Sequence, residues 1–507
     1  MSQQQTTGKR LAKNTAFMYG RMIVLMLISL YTSRVVLREL GVDDFGIYNV
    51  VGSVVAMFAA MRGLFATSTQ RFMNYEMGKG AEGRLQLVFN MGTFINLLLA
   101  IVFLVAVEIV GWWFFEYKIN VDPSRLFAAK WVFQLSVLSA VVSMLTTPYD
   151  AVIIAHEKMD FYAIMAIVEG VLRLVIVFLL AYFSFDKLIF YACLQLAISF
   201  LIRFVNAMYC KKRFPESHYK RCWDKGLFKE MSVFAGWNFF GNMAFSLTDS
   251  GLNIVLNIFG GPAVNAARGV AYQIKGATMK FLTSMVTVVS PYNTKSYAAG
   301  HKDKMFDMLY LSSKIYFMVE LCMAIPLVYL TKEILILWLK QVPDYSIVFT
   351  QLVMVHSLIR ALHYPINNLF KTVGNLKFYQ ITEGIILALP LIVSYVLLKK
   401  GFPYSSLFVV VIIFELVNFA AILLIARNVA ELSIRQYVWH TAIPCAICFA
   451  VACGGFIIRS VFLKNTWGVV VLTILFLLLC FILMFFTGLS QMERQQLLAL
   501  ISKRKAN

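Results

Sequence analysis

Charged residues are scarce in this chain. Asp, Glu, Lys and Arg together make up 14% of its 507 residues, against about 25% in a soluble domain. Hydrophobic residues reach 60% and the mean hydropathy is +0.74, values that exclude a soluble protein of this length. The net charge of +20 would suggest nucleic-acid binding in a soluble protein, but here it indicates basic loops beside anionic lipid. We therefore expect an integral membrane protein without a nucleic-acid partner.

Catalytic signatures are missing as well. The sequence has no HExxH, no Walker loop, no GxSxG elbow and no Cys/His metal cluster. We therefore predict a protein that is not an enzyme, hydrolyses no ATP and needs neither cofactor nor metal. Six of the eight cysteines lie inside apolar runs, where they are expected to pack as small hydrophobic residues rather than form disulfides.

Continuous apolar runs fill almost the whole chain. Each is about 20 residues or longer and does not alternate, so the sequence predicts membrane-spanning helices rather than a barrel. The first run follows Lys9, Arg10 and Lys13 and is too long for a cleavable signal peptide. The fold class is therefore an all-α integral membrane protein with about fourteen spans. They are predicted near 14–36, 46–66, 87–111, 127–147, 161–183, 188–208, 231–256, 264–288, 309–330, 345–365, 377–398, 404–426, 437–458 and 467–488.

The loops on one side of these spans carry most of the basic residues. If the N-terminus is cytoplasmic, the cytoplasmic segments hold more than twice as many Lys and Arg as the external loops. The positive-inside rule then predicts that both termini are cytoplasmic. The most basic loop falls midway along the first twelve spans, and a faint repeat with an offset of about 219 residues relates the two halves. We expect an N-terminal six-helix lobe (1–210), a basic linker (211–229), a second six-helix lobe (230–430) and two extra helices with a basic tail (431–507).

The eighth predicted span carries polar residues on one helical face. Asn265, Arg268, Tyr272 and Lys275 follow one another at i, i+3, i+7 and i+10. Lys275 lies near mid-membrane, too deep to reach the membrane surface by extending its side chain. Two interpretations remain. The face lines a cavity that binds an anionic substrate, or its bases pair with acids of another span.

Further bases lie in the first, second and tenth spans. Arg21 is about 10 Å deep at 1.5 Å per residue, Arg62 lies near the inner end of its span, and Arg360 shares a helical face with His356 and His363. A guanidinium donates two parallel hydrogen bonds to a phosphate, so we predict that these arginines bind an anionic cargo. Extension of the side chain toward the inner surface is the alternative for each.

Acidic and amide residues supply the other candidates. In the seventh span Asn242, Ser246, Asp249 and Asn253 form one polar face that either binds sugars or joins helices. Asp249 and Glu169 are candidates for binding a coupling ion. The alternatives are that Asp249 neutralises a cavity base and that Glu169 pairs with Arg173 at i, i+4. Single acids in later spans are further candidates for proton or cation coupling; they are Glu320, Glu383 and Glu415.

Four segments resemble bacterial polysaccharide flippases. They read LYTSRVVLRELGVDDFGIYNVVG (Leu30–Gly52), ATSTQRF (Ala66–Phe72), TPYDAVIIAHEK (Thr147–Lys158) and NTKSYAAG (Asn293–Gly300). In these four segments the chain is similar to the Wzx-type members of the multidrug/oligosaccharidyl-lipid/polysaccharide (MOP) exporter superfamily. The resemblance covers the first twelve spans.

The resemblance implies two six-helix lobes around a central basic cavity that opens alternately to each side. It implies a monomer in the bacterial cytoplasmic (inner) membrane that flips undecaprenyl-diphosphate-linked oligosaccharides for lipopolysaccharide O-antigen, capsule or exopolysaccharide. Membrane lipid, a polysaccharide polymerase and chain-length machinery are the implied partners. Relatives that flip the peptidoglycan precursor have cavity arginines in spans one, two and eight, where Arg21, Arg62 and Arg268 lie. Their last two helices form a lipid-tail groove, although here the extra pair could equally serve as peripheral packing.

Three other classes compete with a flippase. A cation-coupled multidrug antiporter of the same superfamily shares the architecture but is expected to carry acids in its first lobe, whereas the first span here has Arg21 and no acid. A membrane glycosyltransferase, ligase or polymerase usually has a large external loop, and the longest predicted here is about 15 residues. A structural membrane protein has no reason to keep Lys275 in mid-membrane.

Overall fold

The computed structural model describes most of the chain. It covers residues 10, 13–28, 31–32, 35–36, 39–40, 44, 47–48, 61–117, 123–180, 186–220, 222–339, 342–462, 466–488 and 494. Within these residues the chain forms helices and no strand, which confirms the predicted all-α fold.

The chain divides into two compact units, with the division between Phe239 and Phe240. The predicted boundaries of the two six-helix lobes, of the basic linker and of the last two helices remain a prediction. Helices of the first unit are α1 (13–28), α2 (Met61–Gly78), α3 (Leu85–Tyr117), α4 (Leu126–Ala155), α5 (Met159–Leu179) and α6 (Lys187–Arg213). The division falls inside α7 (Lys225–Ala298). The second unit continues with α8 (Lys302–Tyr329), α9 (Thr331–Leu339), α10 (Ser346–Val373), α11 (Lys377–Lys399), α12 (Ser406–Ala430), α13 (Ile434–Tyr437), α14 (Ile443–Phe462) and α15 (Thr466–Leu483).

Ten of the described helical segments are long and apolar enough to cross a membrane. The arms of α7 on either side of a kink, together with α1 and α2, add the remaining helices of the predicted plan, so the structure is consistent with about fourteen spans. Large apolar side chains on these helices face outward, such as Trp112, Ile258 and Leu416. An apolar exterior is what a helix bundle presents to lipid.

The kink in α7 lies at Gly261, inside the Gly260-Gly261-Pro262 turn that the sequence predicts between spans seven and eight. Its φ is 69° and its ψ is −173°, a backbone conformation that only glycine adopts without strain. The residues before Gly261 form the pre-kink arm and those after it form the post-kink arm. Helical geometry otherwise runs through the whole stretch.

Some helices extend beyond the predicted spans. Helix α4 continues to Ala155, beyond the predicted end at 147, because the segment after Pro148 is buried and apolar. Helix α10 continues through Pro365 to Val373 and ends where Gly374 adopts a left-handed conformation (φ 91°). Helix α9 was not predicted, since its apolar run is too short to span a bilayer.

The basic linker packs against its own unit. Asn90 of α3 donates from Nδ2 to the carbonyl oxygen of Lys220 (2.5 Å) and accepts at Oδ1 from the Lys220 amide (3.3 Å). Arg84 pairs with Asp224 at 3.2 Å, and the Trp223 ring meets Phe94 edge to face. The described basic side chains of the linker are exposed, while its backbone at Lys220 is hydrogen-bonded to α3.

The last two helices share a hydrophobic core with α8. The Tyr329 hydroxyl donates to the carbonyl oxygen of Ala452 at 2.5 Å. A Cβ on Gly455 would lie 2.1 Å from that hydroxyl, so this close approach requires glycine. Lys314 is buried and donates to the carbonyl oxygen of Gly488 at 2.9 Å. Helices α14 and α15 are therefore integral to the second unit.

Candidate functional site

Arg268 joins the two arms of α7. Its Nη2 lies 2.7 Å from Asp249 Oδ1 and 3.1 Å from the Asp249 carbonyl oxygen, and its Nη1 lies 3.0 Å from Asn253 Oδ1. The side chain is 5% exposed. Both terminal nitrogens of the guanidinium are therefore hydrogen-bonded to the polar face of the pre-kink arm. Asp249 neutralises the charge of Arg268, which is one of the two alternatives that the sequence left open.

The Tyr272 ring connects Arg268 to Lys275. The guanidinium carbon of Arg268 lies 3.9 Å from the ring centroid, and Nζ of Lys275 lies 4.9 Å from the same centroid. One aromatic ring thus contacts both cations, which favours holding them together despite their repulsion. Arg268, Tyr272 and Lys275 form what we call the basic face.

Lys275 differs from Arg268 in its charge partners. None of the ion pairs among the described residues includes Lys275. Its ammonium is in electrostatic reach of two bases, Arg360 and Arg268, and of three acids, Asp249, Glu415 and Glu320. The Lys275 ammonium takes part in no ion pair of the described residues and is therefore available to an anionic ligand.

Arg360 belongs to a buried cluster on α10, α11 and α12. Its Nη1 lies 3.0 Å from Glu383 Oε1 and 3.2 Å from Glu415 Oε1. His363 reaches Glu415 Oε1 through Nδ1 at 3.0 Å, and His356 reaches Glu415 Oε2 at 3.6 Å. The acid–base cluster is the set Arg360, His356, His363, Glu383 and Glu415.

Burial makes the acid–base cluster unusual. His363 and Glu415 are each 1% exposed, and the ring of His363 also lies 3.2 Å from the Tyr379 hydroxyl through Nε2. The guanidinium of Arg360 lies 5.3 Å from the Phe245 ring centroid. Charged groups at this depth need partners, and each cluster member finds one on a neighbouring helix.

The two predicted amides lie on different arms of α7. Asn242 is exposed on the pre-kink arm. Asn265 is on the post-kink arm, where its side-chain Oδ1 is buried and accepts no hydrogen bond from the described residues. Asn265 precedes Arg268 by one turn, so this unsatisfied acceptor lies beside the basic face.

The first unit holds the remaining predicted residues. The Arg21 guanidinium lies 4.6 Å from the Tyr162 ring centroid, and its Nη1 lies 3.9 Å from the Met18 sulfur. Glu169 pairs with Arg173 at 2.7 Å, as the i, i+4 spacing allows. Arg62 lies in α2, but its side chain is outside the described residues. That Arg21 and Arg62 share a cavity with Arg268 stays a prediction.

Sequence reasoning missed two features. It flagged Glu383 and Glu415 singly and His363 by helical spacing, but it did not join them, because no sequence spacing relates three different helices. It also passed over Arg71, a buried base inside the Ala66–Phe72 motif whose guanidinium lies 4.6 Å from the Phe72 ring centroid and 5.0 Å from that of Tyr75. The motif itself was the signal that could have found Arg71.

Comparison with known families gives one match. A sequence model described as "Polysaccharide biosynthesis protein" matches residues 11–296, more than half of the chain. No curated protein matches the chain by sequence.

Solved structures show the fold. An outward-facing multidrug resistance MATE family transporter of the MOP superfamily matches with a TM-score of 0.73 at 14% identity, covering 83% of this chain and 95% of that one. A MOP superfamily transporter from Pyrococcus furiosus, described with a binding pocket of reversed polarity, matches with a TM-score of 0.70 at 14% identity and the same coverage. A MATE protein in its straight conformation gives a TM-score of 0.69 at 14% identity, covering 83% and 96%. At this identity the likeness shows a MATE-like transporter fold.

Proposed function

The chain belongs to the polysaccharide biosynthesis protein family, and from that premise we propose that it flips undecaprenyl-diphosphate-linked oligosaccharide repeat units from the cytoplasmic to the periplasmic leaflet. The product would serve surface polysaccharide synthesis, whether O-antigen, capsule or exopolysaccharide. The family and the fold are those of multi-pass membrane transporters.

Lys275 supports an anionic cargo more strongly than any other residue. Its ammonium lies inside the membrane-spanning bundle, outside the ion pairs of the described residues, and against an aromatic ring that already carries Arg268. A base held at this depth without a carboxylate partner is costly unless an anion or water compensates it. The diphosphate of a lipid-linked sugar would supply that compensation.

Transport by alternating access through a basic cavity also requires release of the cargo. At Nη2 of Arg268 a phosphate competes with Asp249, since the Asp249 carboxylate and carbonyl oxygens already accept from this nitrogen, whereas Nε has no hydrogen-bond partner among the described residues. That competition weakens the hold on the anion and favours turnover. Distribution of the attraction over Lys275, Arg268 and Arg360 has the same effect.

The proposed orientation places both termini in the cytoplasm of a bacterial cell and the protein in the inner membrane. The basis is the excess of Lys and Arg in alternate loops. Reporter domains fused after Asn507 should be active only if the reporter folds in the cytoplasm. Activity of a periplasmic reporter at that position would overturn the orientation.

A second candidate function is cation-coupled multidrug antiport. The structural likeness to a multidrug resistance MATE transporter favours it. The charge of the basic face opposes it, because a cationic drug would meet the like charges of Lys275 and its neighbours.

Flipping in proteoliposomes separates the two candidates. We expect the purified protein to move a fluorescent undecaprenyl-diphosphate-linked sugar across the bilayer and not to export ethidium. Lys275→Met should lose most of the flipping and Lys275→Arg should keep much of it, because charge and not bulk binds the diphosphate. Lys280→Met is the matched control, since Lys280 is an exposed base on the same arm.

Two results would contradict the proposal. Ethidium export without flipping would favour the antiporter. If Lys275→Met flips the substrate normally at unchanged protein abundance, Lys275 does not bind the diphosphate. Binding of the anion would then depend on the arginines alone.

A further inference from the structure

The centre of α5 carries a charged pair. Arg173 Nη2 donates a hydrogen bond to Glu169 Oε1 at 2.7 Å, one helical turn away. Glu169 lies midway between Met159 and Leu179, the two ends of α5, so it is about 15 Å from either end at 1.5 Å per residue. Helix α5 is apolar and long enough to cross a membrane. The pair therefore lies at the depth where a charge in hydrocarbon is most costly.

The charged pair is exposed, but not on the apolar side of α5. The side chain of Arg173 is 47% exposed and that of Glu169 is 35% exposed. Large apolar side chains that are exposed on α5 recur at i, i+4, i+7, i+11 and i+14; they are Ile164, Val168, Val171, Val175 and Phe178. With 3.6 residues per turn, Glu169 and Arg173 point about 140° and 180° away from the middle of this stripe. The helix thus has an apolar exposed side and a charged exposed side.

The two exposed sides need different surroundings. An apolar stripe is what a span presents to lipid, whereas charged side chains at this depth face a water-filled space or the interior of the bundle. Helix α1 packs beside the charged side, since a Cβ on Gly170 would lie 2.8 Å from Leu25 Cδ2. Tyr162 lies two turns before Glu169 on that side, and its ring carries the guanidinium of Arg21 at 4.6 Å. The charged side of α5 is therefore a hydrated face of the first unit.

The pair keeps hydrogen-bonding capacity for a ligand. Among the described residues, the bond between Nη2 and Oε1 is the one hydrogen bond of the two side chains. A guanidinium has five N–H donors and a carboxylate has two acceptor oxygens, so most donors of Arg173 and Oε2 of Glu169 are open to the hydrated face. Arg173 is also in electrostatic reach of Tyr191 on α6.

The net charge of the pair indicates what it can bind. Glu169 and Arg173 neutralise each other, so together they give a diphosphate little net attraction. A neutral ligand with many hydroxyl groups suits them better, because each hydroxyl both donates and accepts hydrogen bonds and hydrogen bonds to charged groups are stronger than those between neutral groups.

We propose that Glu169 and Arg173 form a sugar-binding subsite, in which the carboxylate accepts from the hydroxyl groups of the oligosaccharide and the guanidinium donates to them. The inference rests on the proposed function, because it takes a lipid-linked oligosaccharide as the cargo. It assigns the choice of cargo to α5. The diphosphate is common to all such cargoes, so the basic face cannot tell one repeat unit from another, whereas a site that hydrogen-bonds hydroxyl groups rejects a ligand that lacks them.

Calorimetry with two probes of equal charge tests the subsite. The first probe is a short-chain polyprenyl diphosphate linked to a disaccharide of N-acetylglucosamine. The second is the methyl ester of the same polyprenyl diphosphate, which is also a diester but has no sugar. We expect the full-length wild-type protein to bind the sugar probe about tenfold more tightly than the methyl probe, as hydrogen bonds to charged groups allow.

A double variant removes the hydrogen bonds without changing the net charge. Glu169→Met combined with Arg173→Met should weaken the sugar probe about tenfold, to the affinity of the methyl probe, and should leave the methyl probe as it was. Lys302→Met combined with Glu431→Met is the matched control, since it removes an exposed ion pair of 2.8 Å in the second unit. We expect this control to change the binding of neither probe.

Two further variants keep the test decisive if the double methionine variant does not fold. Glu169→Arg combined with Arg173→Glu keeps an ion pair at i, i+4 but exchanges the positions of donors and acceptors, so it should weaken only the sugar probe. Glu169→Gln alone leaves the charge of Arg173 uncompensated. Both anionic probes should then bind more tightly, and by the same factor.

The outcomes separate the subsite from the proposed function. Equal binding of the two probes by the wild type would overturn the subsite and leave diphosphate binding intact. Unchanged sugar binding in the double methionine variant would show that the pair only stabilises α5, and equal weakening of both probes would show that it does not recognise the sugar; each result overturns the subsite. Failure of the wild type to bind either probe would count against the proposed function itself.

Discussion

Arg268 and Lys275 share one helix face but have different surroundings, because one of them meets a carboxylate and the other does not. Asp249 lies 2.7 Å from Arg268 across the kink, while Lys275 contacts the Tyr272 ring and no carboxylate among the ion pairs described. Arg268 therefore contributes to the packing of α7 as well as to any binding site. Lys275 contributes its charge to the site alone.

Removal of the Asp249 charge should reveal what Arg268 does. Asp249→Asn leaves a hydrogen-bond acceptor in place but abolishes the competition with an anionic ligand. We expect a short-chain polyprenyl-diphosphate-linked sugar to bind about fivefold more tightly, equivalent to about 1 kcal/mol, and to be flipped more slowly because release is harder. Calorimetry and the proteoliposome assay measure the two quantities.

Glu333→Gln is the control for that experiment, since it removes a carboxylate of α9 that pairs with Arg459, at 3.7 Å, and not with Arg268. An unchanged affinity in Asp249→Asn would mean that Arg268 acts only as a link between the arms of α7.

The bases of the site could be predicted from sequence, but their partners could not. Helical spacing places Arg268, Tyr272 and Lys275 on one face because all three lie on one element. It cannot show that Glu383 and Glu415, on two further helices, meet His363, because that contact depends on how α10, α11 and α12 pack. The polar side chains of the seventh span were recognised as one face, while the pairing of Asp249 with Arg268 remained one of two alternatives.

At the scale of elements, Gly261 controls the direction change inside α7. A residue with a side chain can adopt the φ of 69° and ψ of −173° found at Gly261 only with backbone strain. That strain costs about 1–3 kcal/mol. Gly261→Ala should lower the melting temperature by several degrees and reduce flipping, because the strain acts on the link between the two polar faces of α7. Thermal unfolding of the detergent-solubilised protein measures the first effect.

Gly269→Ala is the matched control. An added Cβ there has no neighbour within 4 Å and the residue has ordinary helical geometry, so alanine should leave the melting temperature equal or slightly higher. Equal melting temperatures for Gly261→Ala and the wild type would show that the kink relaxes into a regular helix.

The basic linker offers a pH-dependent contact outside the membrane-spanning segments. His156 Nε2 lies 2.5 Å from Glu216 Oε1, and its ring stacks on Phe214 at 4.0 Å. Burial acts to raise the pKa of Glu216, but the hydrogen bonds from His156 and from its own backbone amide outweigh it and hold the pKa below its usual range. A depressed carboxyl pKa means that the contact stabilises the docked linker above the unfolded pKa of about 4.3 and loses that effect as the pH falls through the folded value.

Glu216→Gln should therefore loosen the linker at neutral pH and not in acid. We expect a loss of about 1–2 kcal/mol of local stability at pH 7, seen as faster hydrogen exchange of the linker amides relative to the wild type, with the ratio returning to one once the pH falls below the lowered pKa of Glu216. A ratio that stays above one in acid would show that packing of the glutamate, rather than its charge, holds the linker.

Among the elements, the long apolar spans were predictable and the helix ends were not. The apolar composition alone predicts spans at the positions of α11, α12 and α15, and the structure has helices there. The end of α10 depends on Gly374, and the extension of α4 depends on burial of residues after Pro148, which no window of hydropathy reports. Packing of α14 and α15 on α8 depends on Gly455 fitting beneath Tyr329, a contact between distant parts of the sequence.

For the whole molecule, the charge of the proposed cargo decides how strongly the membrane potential drives transport. A diphosphate diester moves two negative charges outward, and an inside-negative potential favours each by about 2.3 kcal/mol per 100 mV.

The leaflet distribution of the cargo at equilibrium measures that charge. Proteoliposomes with equal pH on both sides and a potential set by potassium and valinomycin should concentrate the fluorescent lipid-linked sugar in the outer leaflet. One net charge requires about 59 mV for each tenfold change in the ratio between leaflets, and two net charges require about 30 mV. We expect the second value, because the diphosphate diester carries two negative charges. A distribution that ignores the potential would mean that two positive charges accompany each diphosphate, and it would contradict transport driven by the potential.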